Sequence, residues 1–208
     1  MTRAPRQGFE RGFTLLELAV ALVLLALVIG NVYTVLGGTT RDVGARSAEF
    51  EAEAQARRAL DRIAMALVGS YERTLFEGAE SPDSRPLINY EEFLGMGDPD
   101  GDGVPQEVFS PLMRIALTAQ SGGEVTWYES PGEAGERRVV WVKDVPQFAQ
   151  GEIPGNGVDD NGNGLVDESG LAFVKEGRSV RILLSVRRSN GQGGWIEKQL
   201  QTVVTCRN

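Results

Sequence analysis

Gly12-Phe13-Thr14-Leu15-Leu16-Glu17, followed without a break by Leu18-Ala19-Val20-Ala21-Leu22-Val23-Leu24-Leu25-Ala26-Leu27-Val28-Ile29-Gly30, is the stretch on which the reading of this chain turns. From Leu18 to Gly30 there is no charge and no strong breaker, and the apolar character continues through Val32, Tyr33, Val35 and Leu36. As a helix, Phe13 to Leu36 extends about 36 Å, against a bilayer hydrocarbon core about 30 Å thick. The one charge inside it is Glu17. A carboxylate near the start of a membrane helix is costly unless something pairs with it, so such residues usually have a task. A cleavable secretory signal would have a shorter apolar core followed by a small-x-small site. Here another helical pattern follows instead.

The hexad from Gly12 to Glu17 resembles the N-terminal signature of type IV prepilins and of the pseudopilins of type II secretion systems. The resemblance implies that a prepilin peptidase cuts between Gly12 and Phe13, that the new N-terminal Phe13 is N-methylated, and that Glu17, then the fifth residue, serves in assembly. The leader 1–12 carries Arg3, Arg6 and Arg11 against Glu10, and positive charge before a span keeps that end in the cytoplasm.

Working outward, Gly37-Gly38-Thr39-Thr40 is a weak point at the membrane exit. From Arg41 to Val68 the pattern is helical again, with Val43, Phe50, Ala54, Leu60, Ile63, Ala64 and Leu67 as the expected apolar face. Arg46, Glu49, Glu51, Glu53, Arg57, Arg58, Asp61 and Arg62 form the solvated one. Joined to the span, this predicts a helix of about 55 residues and about 80 Å. The segment from Gly69 to Pro111 is rich in glycine, proline and acid and is expected to be mostly irregular. Strands are predicted at Leu112–Thr118, Val125–Glu129, Val139–Lys143, Leu171–Val174, Val180–Arg187 and Trp195–Thr205, with a hairpin loop over Ser189–Gly194. The expected fold class is α+β and pilin-like: a long N-terminal helix packed on one mainly antiparallel sheet, with calcium-type loops. The expected parts are the leader 1–12, a membrane or filament-core helix 13–36, an amphipathic half 37–70 and an exported β-rich domain 71–208.

Two loops share a metal-binding pattern. Asp98, Asp100 and Asp102 precede Gly103 and Val104; at a constant offset, Asp159, Asn161 and Asn163 precede Gly164 and Leu165. This is the opening half of an EF-hand-type calcium loop, in which alternate oxygen-bearing side chains converge on a hard cation, the sixth-position glycine turns the chain and the next residue offers its carbonyl. Neither loop has a twelfth-position glutamate, those positions being Phe109 and Gly170. Closure would fall to Glu107 in the first loop and to Asp167 or Glu168 in the second, a shortness that resembles the calcium loops of thrombospondin type 3 repeats and dockerins. Asp, Asn and Gly are also ordinary turn formers. The expectation is one or two structural calcium ions.

Composition narrows the function. Removing the leader's three basic residues and one acidic residue from totals of 21 and 29 leaves 18 and 28, a net charge of −10. Such a surface repels nucleic acid. There is no histidine, so the commonest general base and the commonest transition-metal ligand are missing. The single cysteine, Cys206, rules out an intramolecular disulfide and is read as incidental. No carboxylate pair stands out as catalytic, and a non-enzymatic role is expected. Mature length, the long helix with Arg57-Arg58-Ala59-Leu60-Asp61-Arg62 and the late hairpin resemble the J-type minor pseudopilins of type II secretion. That resemblance implies a single-pass inner-membrane subunit in a periplasmic pseudopilus tip, with other pseudopilins and prepilin peptidase as partners. The alternative is a minor pilin or calcium-dependent adhesive subunit of a type IV pilus.

Overall fold

The computed structural model describes residues 14–71, 75, 79–101, 103–119, 122–191 and 193–206, with 38–42 as backbone alone. Helix α1, Leu15–Val68, passes through Gly37 and Gly38 without ending, and the chain divides into two compact units between Gly44 and Ala45. In the first unit every large apolar side chain from Leu15 to Leu36 is more than half exposed. A helix apolar on all sides needs a non-aqueous surrounding. Among the described residues one helix is long and apolar enough to span a bilayer, over Leu15–Gly37 with mean hydropathy 2.5.

The second unit is built on antiparallel strands: β1 (Leu87–Tyr90), β2 (Phe93–Gly97), β3 (Gln106–Phe109), β4 (Met113–Thr118), β5 (Glu124–Glu129), β6 (Arg137–Lys143), β7 (Leu171–Glu176), β8 (Ser179–Ser189) and β9 (Trp195–Thr205). They form three sheets, ordered β1-β4-β5-β6, β2-β3 and β7-β8-β9, rather than the expected single one. Isolated bridges Arg85↔Phe173 and Ala79↔Val174 tie the segment before β1 to β7. The predicted strands appear within a few residues of their expected limits. The β8–β9 hairpin closes with Ser189 opposite Trp195, its loop held by the Gly194 N–H on Asn190 Oδ1 at 3.0 Å.

Two expectations hold only in part. Most of the segment 69–111 lies outside strands, but it contains β1, which pairs with β4, and the β2–β3 hairpin. β1 is stabilised by a partner beyond the segment, and β2 and β3 by each other. An aromatic cluster of Tyr71, Phe93 and Phe109, with ring centroids 5.1 to 6.1 Å apart, also holds the β2–β3 hairpin.

The expected apolar face of α1 holds at Leu60, Ile63 and Leu67 and fails over its earlier turns. Val43, Phe50 and Ala54 are exposed, whereas Ala48, Ala52, Ala56, Ala59, Leu60, Ile63 and Leu67 are buried. The face is largely alanine because a helix seated closely on sheets has room for methyl groups and not for phenyl rings. Ala56, Ala59, Leu60, Ile63 and Leu67 share one core with Ile88, Tyr90 and Ile115 of the four-stranded sheet and with Phe173, Ile182 and Leu184 of the three-stranded one. Each fully buried large side chain contributes about 2 kcal/mol. Cys206 is part of that core rather than incidental, a small apolar filler. Polar ties reinforce the seat: Gln55 receives Arg188 Nη2 at 2.5 Å and donates to the Lys143 carbonyl at 3.3 Å. Arg188 Nη1 also meets Asp144 Oδ2 at 3.2 Å.

Gly123 has φ +95°, and a Cβ there would lie 1.8 Å from the Val145 carbonyl oxygen. Gly123→Ala is therefore expected to destabilise the domain by about 3 kcal/mol, read as a lowered denaturant midpoint. Buried Tyr90 accepts the Trp127 indole N–H at 2.9 Å. Burial pushes its hydroxyl up to about 12, the Glu92 charge adding and the Trp127 N–H opposing. Folded Tyr90 thus keeps a proton that an unfolded tyrosine loses near pH 10. Its stabilising contribution is full below about pH 10 and is lost as pH rises toward about 12. Tyrosinate absorbance should show one late-titrating group, absent in Tyr90→Phe.

Candidate functional site

The two acidic loops lie in different settings. The first is the tip of the β2–β3 hairpin. Asp98 Oδ2 accepts the Gly103 N–H at 2.9 Å and Asp100 Oδ2 accepts Gln106 Nε2 at 3.0 Å. Val104 is exposed. Glu107 stands on β3 opposite Met96, in the ladder and not in the loop. Asp102 lies outside the described residues.

The second loop is folded in on itself and fastened to its surroundings. Asp159 Oδ1 accepts the Gly162 and Asn163 N–H groups at 2.6 and 3.1 Å, and its Oδ2 accepts that of Gly164 at 2.7 Å. Asn161 and Asn163 each turn Oδ1 onto the N–H two residues on, at 3.0 and 2.9 Å. Their amide nitrogens converge on one atom, Glu168 Oε1, at 2.6 and 2.5 Å. Glu168 is fully buried, and its Oε2 has no hydrogen-bond partner. Leu165, also fully buried, packs with Ala172, Val174 and Leu183, while the Val166 N–H reaches the Pro82 carbonyl at 3.0 Å.

Asp167 faces another way. Its carboxylate takes the Asn156 and Gly157 N–H groups at 3.1 and 2.9 Å. The structure thus groups Asp159, Asn161, Asn163 and Glu168, and sets Asp167 to holding the chain entering the loop. A residue outside the sequence pattern joins them. Glu152 Oε1 accepts the Asn161 N–H at 3.1 Å, and its Oε2 is buried without a partner. Burial pushes the Glu152 carboxyl up, the Asn161 N–H opposes this, and the nearby Glu168, Asp160 and Asp159 charges add to it. Among the described residues no three acidic or cysteine side chains alone converge as a metal cluster. An ion here would draw on Asn amide oxygens and a main-chain carbonyl as well.

At the other end of the chain, Gly12 and Phe13 lie outside the described residues, and the structure begins at Thr14. Thr14 N and Oγ1 both donate to Glu17 Oε2 at 3.0 Å, and the Glu17 N–H returns to Thr14 Oγ1 at 3.3 Å. This is a reciprocal capping box, which satisfies N–H groups that a helix start leaves without partners. Residues 8–30 match the family model described as the prokaryotic N-terminal methylation motif. The chain carries a prepilin-type methylation motif. No curated protein and no solved structure matches it.

That motif, matched over 23 of the 208 residues, supports a pilin- or pseudopilin-type protein. It implies processing by a prepilin peptidase and assembly with other pilin-type subunits, and with one spanning helix it fits a single-pass membrane anchor. The Thr14–Glu17 capping box had a local signal, Thr-x-x-Glu before an apolar run, which the reading of the hexad passed over. The participation of Glu152 had no local signal, because it depends on the loop folding back. Asp167 sits at φ +49°, where a non-glycine residue is strained. Asp167→Ala removes two charge-assisted hydrogen bonds and is expected to cost about 1–2 kcal/mol. A denaturant titration checks this, and the loss should be the same with and without calcium.

Proposed function

We propose that this chain is a non-enzymatic minor pseudopilin of a type II secretion system. A prepilin peptidase removes Met1–Gly12, Phe13 becomes the methylated N-terminus, and the subunit joins the tip of a periplasmic pseudopilus with its β-rich domain outside the inner membrane. The observation carrying this is the prepilin-type motif set at the head of a helix whose apolar surface is bare on every side over Leu15–Leu36. Such a surface is covered either by lipid or by the same helices of neighbouring subunits. Glu17 has two roles open to it. In the single chain it caps its own helix. In a filament its carboxylate pairs with the free amine of Phe13, its own or a neighbour's, which offsets the cost of holding a charge among apolar helices.

Glu17→Gln and Glu17→Ala separate the two roles of Glu17. Glutamine keeps the capping box and removes the charge. Glu17→Gln is expected to be inserted and processed normally yet to fall at least about tenfold in filament incorporation, as a lost buried ion pair requires. Normal incorporation would leave Glu17 as a helix cap alone and sink the assembly role. Deletion of the chain should stop protein secretion while surface pili persist. Loss of pili with secretion intact would move the chain to the type IV pilus, as a minor or adhesive pilin.

A further inference from the structure

We propose that the loop from Glu152 to Glu168 is a calcium site, with Asp159, Asn161, Asn163 and Glu168 as side-chain ligands, Leu165 offering its main-chain carbonyl and Glu152 alongside.

The argument rests on Glu168. Its carboxylate is fully buried, and no lysine or arginine pairs with it among the described residues. Two neutral amide N–H groups meet one oxygen, and the other oxygen meets nothing. A buried carboxylate compensated this weakly is unfavourable, and proteins normally resolve it with a counter-charge. A second incompletely satisfied carboxylate, Glu152, abuts the same turn through the Asn161 N–H. Both point to a missing cation, and a cation beside Glu168 would replace the two amide protons as its partner. Asn161 and Asn163 differ from acceptors only by rotation of a planar amide that carries oxygen on one arm and nitrogen on the other. The turn that brings them together is already held by Asp159 and its three backbone N–H groups.

Every candidate ligand atom is an oxygen, which selects a hard cation. The donors number at least five, are not arranged by a rigid scaffold of carboxylates, and include neutral amides. Calcium accepts six to eight oxygens in loose geometry, whereas magnesium demands an octahedron and keeps its waters. Two of the alternating positions are uncharged Asn, so the affinity should be that of extracellular calcium modules, about 0.1–1 mM. The first loop does not share this argument, because none of its described carboxylates is buried.

The test uses the full-length chain in detergent, stripped with chelator, melted and titrated with calcium chloride, then with magnesium chloride. Calcium at about a hundredfold over Kd should raise the melting temperature by about 5–10 °C, with magnesium well behind. Glu168→Gln should weaken calcium binding at least about tenfold, and Asp98→Ala and Asp167→Ala should leave this site's titration unchanged. Because Glu168→Gln could also loosen the fold, Asn163→Asp serves as a second variant. It places a carboxylate against Glu168, so it should melt lower than the parent without calcium and recover with it. No calcium-dependent shift in the parent chain, binding unaltered in Glu168→Gln, or an Asn163→Asp deficit that calcium does not repair would each overturn the site.

Discussion

The close seating of the second half of α1 on two sheets is the constraint that the β-rich domain depends on. Ala48, Ala52, Ala56 and Ala59 present a face with almost no side-chain bulk, and only beyond them do Leu60, Ile63 and Leu67 reach into the core. That core draws β1, β4 and β5 from one sheet and β7, β8 and β9 from another. A larger residue on the alanine face would force the backbones apart and leave voids around Phe173 and Ile115, which close-packed interiors do not tolerate. The cross-ties through Gln55, Arg188 and Asp144 then fix the helix along its axis, where apolar packing is indifferent to sliding.

The same helix has a first part that cannot be stable in water. Its apolar residues face outward all round, so its native surroundings are lipid or other helices. Glu17 is the point at which these demands meet: a charge at the edge of an apolar surface, held in the single chain by Thr14. The capping box gives that carboxylate a partner within the single chain.

The two acidic loops show how one local pattern takes on different meanings. Both have an aspartate that closes the turn onto a glycine N–H, at Asp98 and at Asp159. At the hairpin tip the described carboxylates, Asp98, Asp100 and Glu107, are exposed. In the second loop the chain returns through Leu165 to a buried position, and this carries Glu168 beneath the turn with Asn161 and Asn163 above it. Burial, and not the spacing of oxygens, turns a polar loop into a place where a charge is owed.

Much of this was legible in the amino-acid sequence, and all of it is local. The hexad 12–17, the uninterrupted apolar run, the alternating strands and the glycine-rich turn before Trp195 each depend on neighbours within a few residues, where periodicity and turn chemistry act directly. Tertiary structure alone decided the rest. It chose the alanine face over Val43 and Phe50, because which side of an amphipathic helix is buried depends on how near the sheet comes. It made a strand of Leu87–Tyr90, whose partner Met113–Thr118 lies beyond the segment, and set Gln106–Phe109 against Phe93–Gly97 across a hairpin. It also separated Glu168 from its neighbour Asp167, sending one inward and the other to the loop entrance. Adjacent residues on a turn point in different directions, and only the packing of Leu165 settles which of them is buried.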